Sequence, residues 1–367
     1  MNKLNELAKL GQSVWLDFIS RKLLTSGELK NLVDSGLRGM TSNPTIFDKA
    51  ISKSSDYDED IKTLIRDNLS VEEIYEKLVL KDIGMAADEM RNVYEETDGK
   101  DGFVSIEVNP LIADNTDETI KQAKHLFSAL NRPNIMIKIP GTEEGLPAIT
   151  EAISSGINVN VTLIFSTESY KKVVDAFMAG LEKLDDSGGD ISRIASVASF
   201  FVSRVDTAVD KELEAIGNRE LQGKIAIANS KVAYEISEEM FSSERWKKLA
   251  SRGARKQRLL WASTSTKNPD YPDLLYVDTL IGHDTVNTMP PDTLKAFIDH
   301  GKVGLTLDKS IEEAKTQLRK LNQLGIVLNR ITDKLLADGV RSFSDSFESL
   351  LASLNQKIKK LKEEVGV

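Results

Sequence analysis

Cysteine is absent from the sequence, which removes disulfides, thiolate zinc sites, iron–sulfur clusters and cysteine nucleophiles in one step. Histidine is almost as scarce: His125, His283 and His300 are the only three, and none stands at a metal-ligand spacing. Any metal chemistry would have to rest on carboxylates. Positive charge is in the minority, 48 Lys and Arg against 57 Asp and Glu for a formal charge of −9. That balance leaves no basic face for nucleic acid or an anionic membrane. No apolar run approaches the roughly 20 residues of a membrane span. The opening residues, Met1-Asn2-Lys3-Leu4-Asn5-Glu6, lack the basic-then-apolar form of a signal peptide. A cytoplasmic protein is the expectation. A nucleotide signature is missing as well, since no G-x-G-x-x-G follows a strand and Gly217 to Lys224 has the wrong spacing for a phosphate loop.

What is present is an ordinary globular composition, 40% hydrophobic and 29% charged over 367 residues. One stretch organises it: Asn134-Ile135-Met136-Ile137-Lys138-Ile139-Pro140-Gly141-Thr142. It has the form of a buried strand stopped by Pro-Gly, with a single lysine among apolar residues. Side chains alternate along a strand, so Ile135, Ile137 and Ile139 share one face while Met136 and Lys138 share the other. Burying an ammonium is costly, so a lysine placed there needs a partner or a task. Forming a Schiff base is such a task, because a buried amine can supply the neutral nucleophile that attacks a carbonyl. A lysine reaching solvent from an edge strand would read the same in this stretch alone. What decides is whether other polar groups are aimed at the same place.

Strands are expected at 13–18, 36–44 (ending in an Asn-Pro turn), 103–108, 134–140, 158–165, 194–201 and 258–263, with a weaker eighth at 278–282. Helical patterns separate them, which predicts a (β/α)₈ TIM barrel rather than a doubly wound sheet. Such a barrel needs roughly 250 residues. The surplus lies in a charged helical insertion at about 45–97, after the second strand, and in C-terminal helices at about 309–362. With no linker or repeat in view, residues 1–367 read as a single domain.

In a barrel, one face of each strand packs against helices, the other fills the interior, and reactive groups stand at strand carboxyl ends. Asp17, Thr41, Asn43, Glu107, Lys138, Asn160, Thr162, Ser199 and Ser263 all fall on the parity opposite the helix-facing apolar set, near the ends of their strands. Any one of them has a structural explanation, such as a capped turn or a satisfied core hydroxyl. Together, an amine, two carboxylates, amides and hydroxyls at one barrel mouth describe carbonyl chemistry without a metal.

These residues resemble a known family. Asp17, Thr41-Ser42-Asn43-Pro44, Ser105-Ile106-Glu107-Val108, Ile137-Lys138-Ile139-Pro140, Asn160-Val161-Thr162-Leu163-Ile164-Phe165-Ser166 and Ser199-Phe200-Phe201-Val202-Ser203-Arg204 together look like transaldolase, in order across nearly the whole chain. The WASTSTKNP segment resembles the long bacterial subfamily, members of which also occur fused to glucose-6-phosphate isomerase. The resemblance implies cofactor-free transfer of a dihydroxyacetone unit from fructose 6-phosphate or sedoheptulose 7-phosphate to erythrose 4-phosphate or glyceraldehyde 3-phosphate. That is the reaction of the non-oxidative pentose phosphate pathway. It implies Lys138 as the Schiff-base nucleophile, Glu107 with Thr162 and a water in carbinolamine dehydration, and Asp17 as the base at the sugar's C4 hydroxyl. Asn43, Asn160 and Ser199 would hold the three-carbon unit, Thr41 would support Asp17 or Asn43, and Phe201 would line the pocket or fill the barrel.

Phosphate recognition departs from the family. Arg204 matches its first phosphate arginine, but the second, expected two residues after Ser263, is replaced by Ser265. Lys267 is the substitute, a point charge in place of a fork, with Arg258 as a second choice. His283, near the expected eighth strand, reads as structural, and Asn287 to Pro290 as part of the rim. Two other readings of the whole chain stand beside transfer: an aldolase that releases free dihydroxyacetone, and an inactive barrel acting as a binding module. The partners expected are soluble sugar phosphates, with the chain a monomer or homodimer.

Overall fold

A computed structural model describes residues 2–365. Eight parallel strands close into a barrel in chain order: β1 Gln12–Asp17, β2 Gly39–Thr41, β3 Phe103–Glu107, β4 Ile135–Pro140, β5 Val159–Ile164, β6 Ser196–Phe201, β7 Arg258–Ala262 and β8 Thr285–Met289. The β-branched runs read from sequence lie in these strands, and helices cover their outer faces, as a parallel sheet buried on both sides requires. Register partners across a parallel sheet face the same way, so pairing sorts the side chains. Asp17 pairs with Thr41, Glu107 with Lys138, and Lys138 with Asn160, all on the lumen side. Close packing of the lumen shows at Gly39, where a Cβ would meet the Trp15 ring at 2.6 Å.

The eighth strand is not where the sequence reading put it. Leu275–Thr279 is a short helix, and the strand that closes the barrel on β1 and β7 is Thr285–Met289. Asn287 to Met289 are therefore barrel wall rather than rim. His283 precedes the strand, with its ring against Gly11 just before β1, at the end of the barrel away from the mouth. Trp261 stacks edge-on against Phe200 at 6.2 Å in the helix-facing layer, since Arg258, Leu260 and Ala262 hold the lumen parity of β7.

The insertion forms four helices, Pro44–Ser52, Asp58–Ile65, Val71–Glu89 and Arg91–Glu96. Asn43 caps the first, with Pro44 at its start, and a Ser70/Glu73 capping box opens the third. Arg21, just beyond β1, ties the group down by hydrogen bonds to Asp82 (2.6 Å) and Asp60 (2.5 Å). The Tyr57 hydroxyl also reaches Asp82, at 2.7 Å. The last helix, Leu328–Val365, is 38 residues long and crosses the barrel's mouth. Among the described residues, no helix is long and apolar enough to cross a membrane.

Two carboxylates outside the mouth anchor the helix layer. Asp206 accepts from the Ala226 N–H (2.7 Å) and the Tyr276 hydroxyl (2.9 Å), capping Ile225–Met240 from a neighbouring helix, while Asp210 accepts from Tyr271 (2.6 Å) and Gly223 (3.1 Å). Burial pushes the Asp206 carboxyl up to about 7 despite those donors, and the charge of Asp210 adds to the rise. A carboxyl raised above its unfolded value stabilises the fold below that value, and the contribution is lost as pH rises through the folded one. We expect the urea midpoint to fall between about pH 5 and 7.5 by the equivalent of on the order of 2 kcal/mol in wild type. Asp206→Asn, which keeps an acceptor for Ala226, should flatten that fall; an unchanged slope would show that Asp206 stays ionised.

Candidate active site

Lys138 leaves β4 two residues before Pro140 ends the strand, and its amine is enclosed. Nζ donates to the Ser42 carbonyl at 3.0 Å and lies 3.5 Å from Glu107, with the two side chains 7% and 6% exposed. Ser42 is held in turn by its own hydroxyl on the Ser105 carbonyl at 2.8 Å. Attraction at 3.5 Å is worth about 5 kcal/mol at an effective dielectric of 20. Taking both ions out of water costs several kcal/mol each. The pair therefore contributes little net stability, and its presence in a barrel core calls for a chemical explanation. Burial drives the Glu107 carboxyl above its ordinary range, the Lys138 charge and hydrogen bond pull it back, and Asp17 pushes it up again.

Most of the other polar residues stand at the same mouth, but Ser263 lies off the lumen parity of β7, unlike the sequence reading. Thr41 donates to Asp17 at 2.8 Å, fixing one carboxylate oxygen at the end of β1. Asn160 is locked from both sides: its amide donates to Ser105 Oγ at 3.0 Å, and its carbonyl accepts from Ser199 at 2.7 Å. The Asn43 side-chain oxygen caps the Ile46 N–H at 3.0 Å, which leaves its amide nitrogen as the group that can meet a ligand. Thr162 is buried with its hydroxyl lacking a protein partner among the described residues. Its strand kinks immediately afterwards, where Leu163 takes a left-handed φ of 59° and the β5–β6 register shifts. Strain of this kind costs roughly 1–3 kcal/mol and concentrates at functional sites.

Across the mouth, the Arg204 guanidinium sits 5.1 Å from the centre of the Phe201 ring, which packs on Phe165 at 5.0 Å. Burial lowers the pKa of Arg204 and the charge of Asp17 counters it; no acidic side chain pairs with it among the described residues. Ser263 also has a left-handed φ, 57°, and its hydroxyl meets Ser203 at 2.9 Å beside Arg204. Lys267 is exposed and, among the described residues, bonds only to the nearby Ser265, at 2.9 Å. Arg258 is excluded from the mouth. It starts β7 at the opposite end of the barrel, where it donates to Ser13 (3.0 Å) and Asp101 (2.9 Å).

Residues 14–354 match the model of the transaldolase/fructose-6-phosphate aldolase family. The chain belongs to that family. Among its relatives, a transaldolase of Trichodesmium erythraeum is 49% identical over 98% of both chains, and one of Saccharopolyspora erythraea is 48% identical over 98% of this chain and 99% of its own. A transaldolase of Thermobifida fusca is 49% identical over 97% and 98%. Within a transaldolase-family barrel, three contributors escaped the sequence reading. Ser105 and the Ser42 carbonyl hold Asn160 and Lys138. Phe343 lies over Lys138 from the C-terminal helix, with 5.9 Å from Nζ to the ring centre. The parity of Ser105 was a usable signal; a backbone carbonyl and a helix some two hundred residues away offered none.

Removing the amine tests the electrostatics directly. Lys138→Met should fold, with stability within about 2 kcal/mol of wild type. Without its cation, Glu107 should be protonated at neutral pH and show a carboxylic-acid band in infrared difference spectra. A carboxylate that stays ionised would mean that the two groups are not coupled.

Proposed function

We propose that this barrel is a transaldolase working through a Schiff base on Lys138. The observation that carries the reading is the enclosed Lys138 amine beside Glu107, with Asp17 close enough for its charge to act on both Glu107 and Arg204. A proton passes from the Lys138 ammonium to Glu107, and the neutral Nζ adds to the C2 carbonyl of a ketose phosphate, giving a carbinolamine. Glu107, whose raised pKa suits it to hold a proton, delivers that proton through a water bound to Thr162, and the C2 hydroxyl leaves as water. Asp17 then takes the C4 hydroxyl proton as the C3–C4 bond breaks and an aldose phosphate departs. Asn43, Asn160 and Ser199 hold the hydroxyls of the remaining three-carbon enamine until its C3 attacks an acceptor aldehyde. The same steps run backwards to release the new ketose phosphate.

Arg204 receives the phosphate, with its fork free of a competing carboxylate. Ser263 and Ser203 supply hydroxyls beside it, and Lys267 contributes a screened charge from the rim. Substrates on this reading are soluble sugar phosphates of the pentose phosphate pathway. The enzyme works in the cytoplasm as a monomer or homodimer.

Borohydride reduction in the presence of fructose 6-phosphate should leave a three-carbon adduct on Lys138, read by peptide mass analysis; an adduct on another lysine refutes the assignment. Turnover without an aldehyde acceptor should be slow, and fast release of dihydroxyacetone would favour the aldolase reading instead. Arg204→Ala should raise KM for phosphorylated sugars by about 100-fold, the 2–3 kcal/mol of a charge-assisted contact, with kcat much less affected. An unchanged KM removes Arg204 from the phosphate site.

A further inference from the structure

The helix Leu328–Val365 crosses the strand ends in a definite order. At Gly339 its backbone presses on β5, where a Cβ would come within 3.0 Å of Leu163 and 3.7 Å of Phe165. One turn on, Phe343 covers the Lys138 amine of β4. Ser344 then donates to the Pro110 carbonyl after β3 (3.3 Å), and Ser346 bonds Thr45 after β2 (2.9 Å). Phe347 stacks edge-on against Tyr75 at 5.3 Å, and Lys357 pairs with Asp58 at 2.7 Å, fastening the far end to the insertion. The result is a bar over the β2–β5 half of the mouth, with one apolar ring, 6% exposed, directed at the nucleophile.

We propose that Phe343 is a specificity-determining residue that keeps the three-carbon adduct committed to transfer. This rests on the Schiff-base reading above. After C3–C4 cleavage the enamine has two fates. In transfer, C3 forms a bond to the acceptor's aldehyde carbon and the aldehyde oxygen takes the proton held by Asp17. In release, C3 is protonated, water adds to C2 of the resulting iminium, and the carbinolamine expels the Lys138 amine with free dihydroxyacetone. Both routes end with water adding to C2, so what sets release apart is a proton delivered to C3 while no acceptor is bound. A phenyl ring over Nζ shields the mouth side of the adduct from bulk water and so withholds that proton until an acceptor aldehyde takes its place. The shielding depends on apolar bulk over the amine, so the smaller leucine should retain part of the function and alanine little.

The test compares Phe343→Ala, Phe343→Leu and the parent with fructose 6-phosphate. It measures free dihydroxyacetone released without acceptor, transfer to erythrose 4-phosphate, and the borohydride-trapped adduct on Lys138. Phe343→Ala should raise the ratio of release to transfer by about tenfold with trapping retained, and Phe343→Leu should fall between. An unchanged ratio in folded, trappable variants overturns the proposal alone. Absence of a Lys138 adduct in the parent overturns the Schiff-base reading, and this proposal with it. Should the alanine variant fail to fold, the leucine variant decides on the same ratio.

Discussion

An amine and a carboxylate held 3.5 Å apart inside a barrel that offers them little water are the constraint on which the rest of the structure turns. Left to electrostatics alone, such a pair is no better than two well-packed apolar side chains of the same size. Its geometry is fixed because Glu107 and Lys138 are register partners on adjacent parallel strands, so neither can move without shifting the β3–β4 ladder. The carbonyl of Ser42, from the loop after β2, gives the ammonium a neutral acceptor and keeps it from collapsing onto the acid.

That geometry extends around the lumen as one hydrogen-bonded arc. Ser199 on β6 holds Asn160 on β5, Asn160 holds Ser105 on β3, and on the other flank Thr41 on β2 holds Asp17 on β1. Each side chain has its orientation set by a residue on another strand, so the site depends on barrel closure rather than on any one loop. Arg204, Thr162 and the Asn43 amide stand outside this satisfied arc, and these are the groups left able to meet phosphate, water and hydroxyls.

The barrel and most of this arc were legible in the sequence because period-two alternation fixes which side chains share the lumen, and reactive groups gather at strand ends. Burial of a lysine was not the informative part. Lys231 is also buried, yet it donates to the carbonyls of Thr306 (2.5 Å) and Lys309 (2.6 Å) in the helix layer, with no acid at bonding distance, and acts as a staple. What singled out Lys138 was its company. The eighth strand was misplaced because Asp278 to Gly282 is apolar enough to imitate a strand, while Thr285–Met289, rich in polar residues, lies in the sheet through its ladder to β1. Arg258 was a misreading that the sequence could have corrected, since a strand starting at 258 puts it at the amino end, away from the mouth. Phe343 was illegible for a different reason: its helix carries an ordinary amphipathic pattern, and only the tertiary path brings one of its rings to the amine.

The two ends of the substrate make opposite demands on that mouth. On the proposed reading, the phosphate needs a solvated approach to Arg204, which follows β6, whereas the reacting carbon needs a dry enclosure at Lys138, on β4. A lid over the whole opening would meet the second demand and defeat the first. The C-terminal helix resolves the conflict by position, since the contacts that fasten it over the mouth fall between β2 and β5. The strands that carry Arg204, Ser263 and Asp17 to the mouth lie around the remaining arc. A sugar phosphate can therefore enter with its anion on the open side and its carbonyl under the helix. The chain's surplus beyond a minimal barrel then has a physical reason: the insertion supplies anchorage at Thr45, Tyr75 and Asp58 for a 38-residue helix that crosses one half of the opening.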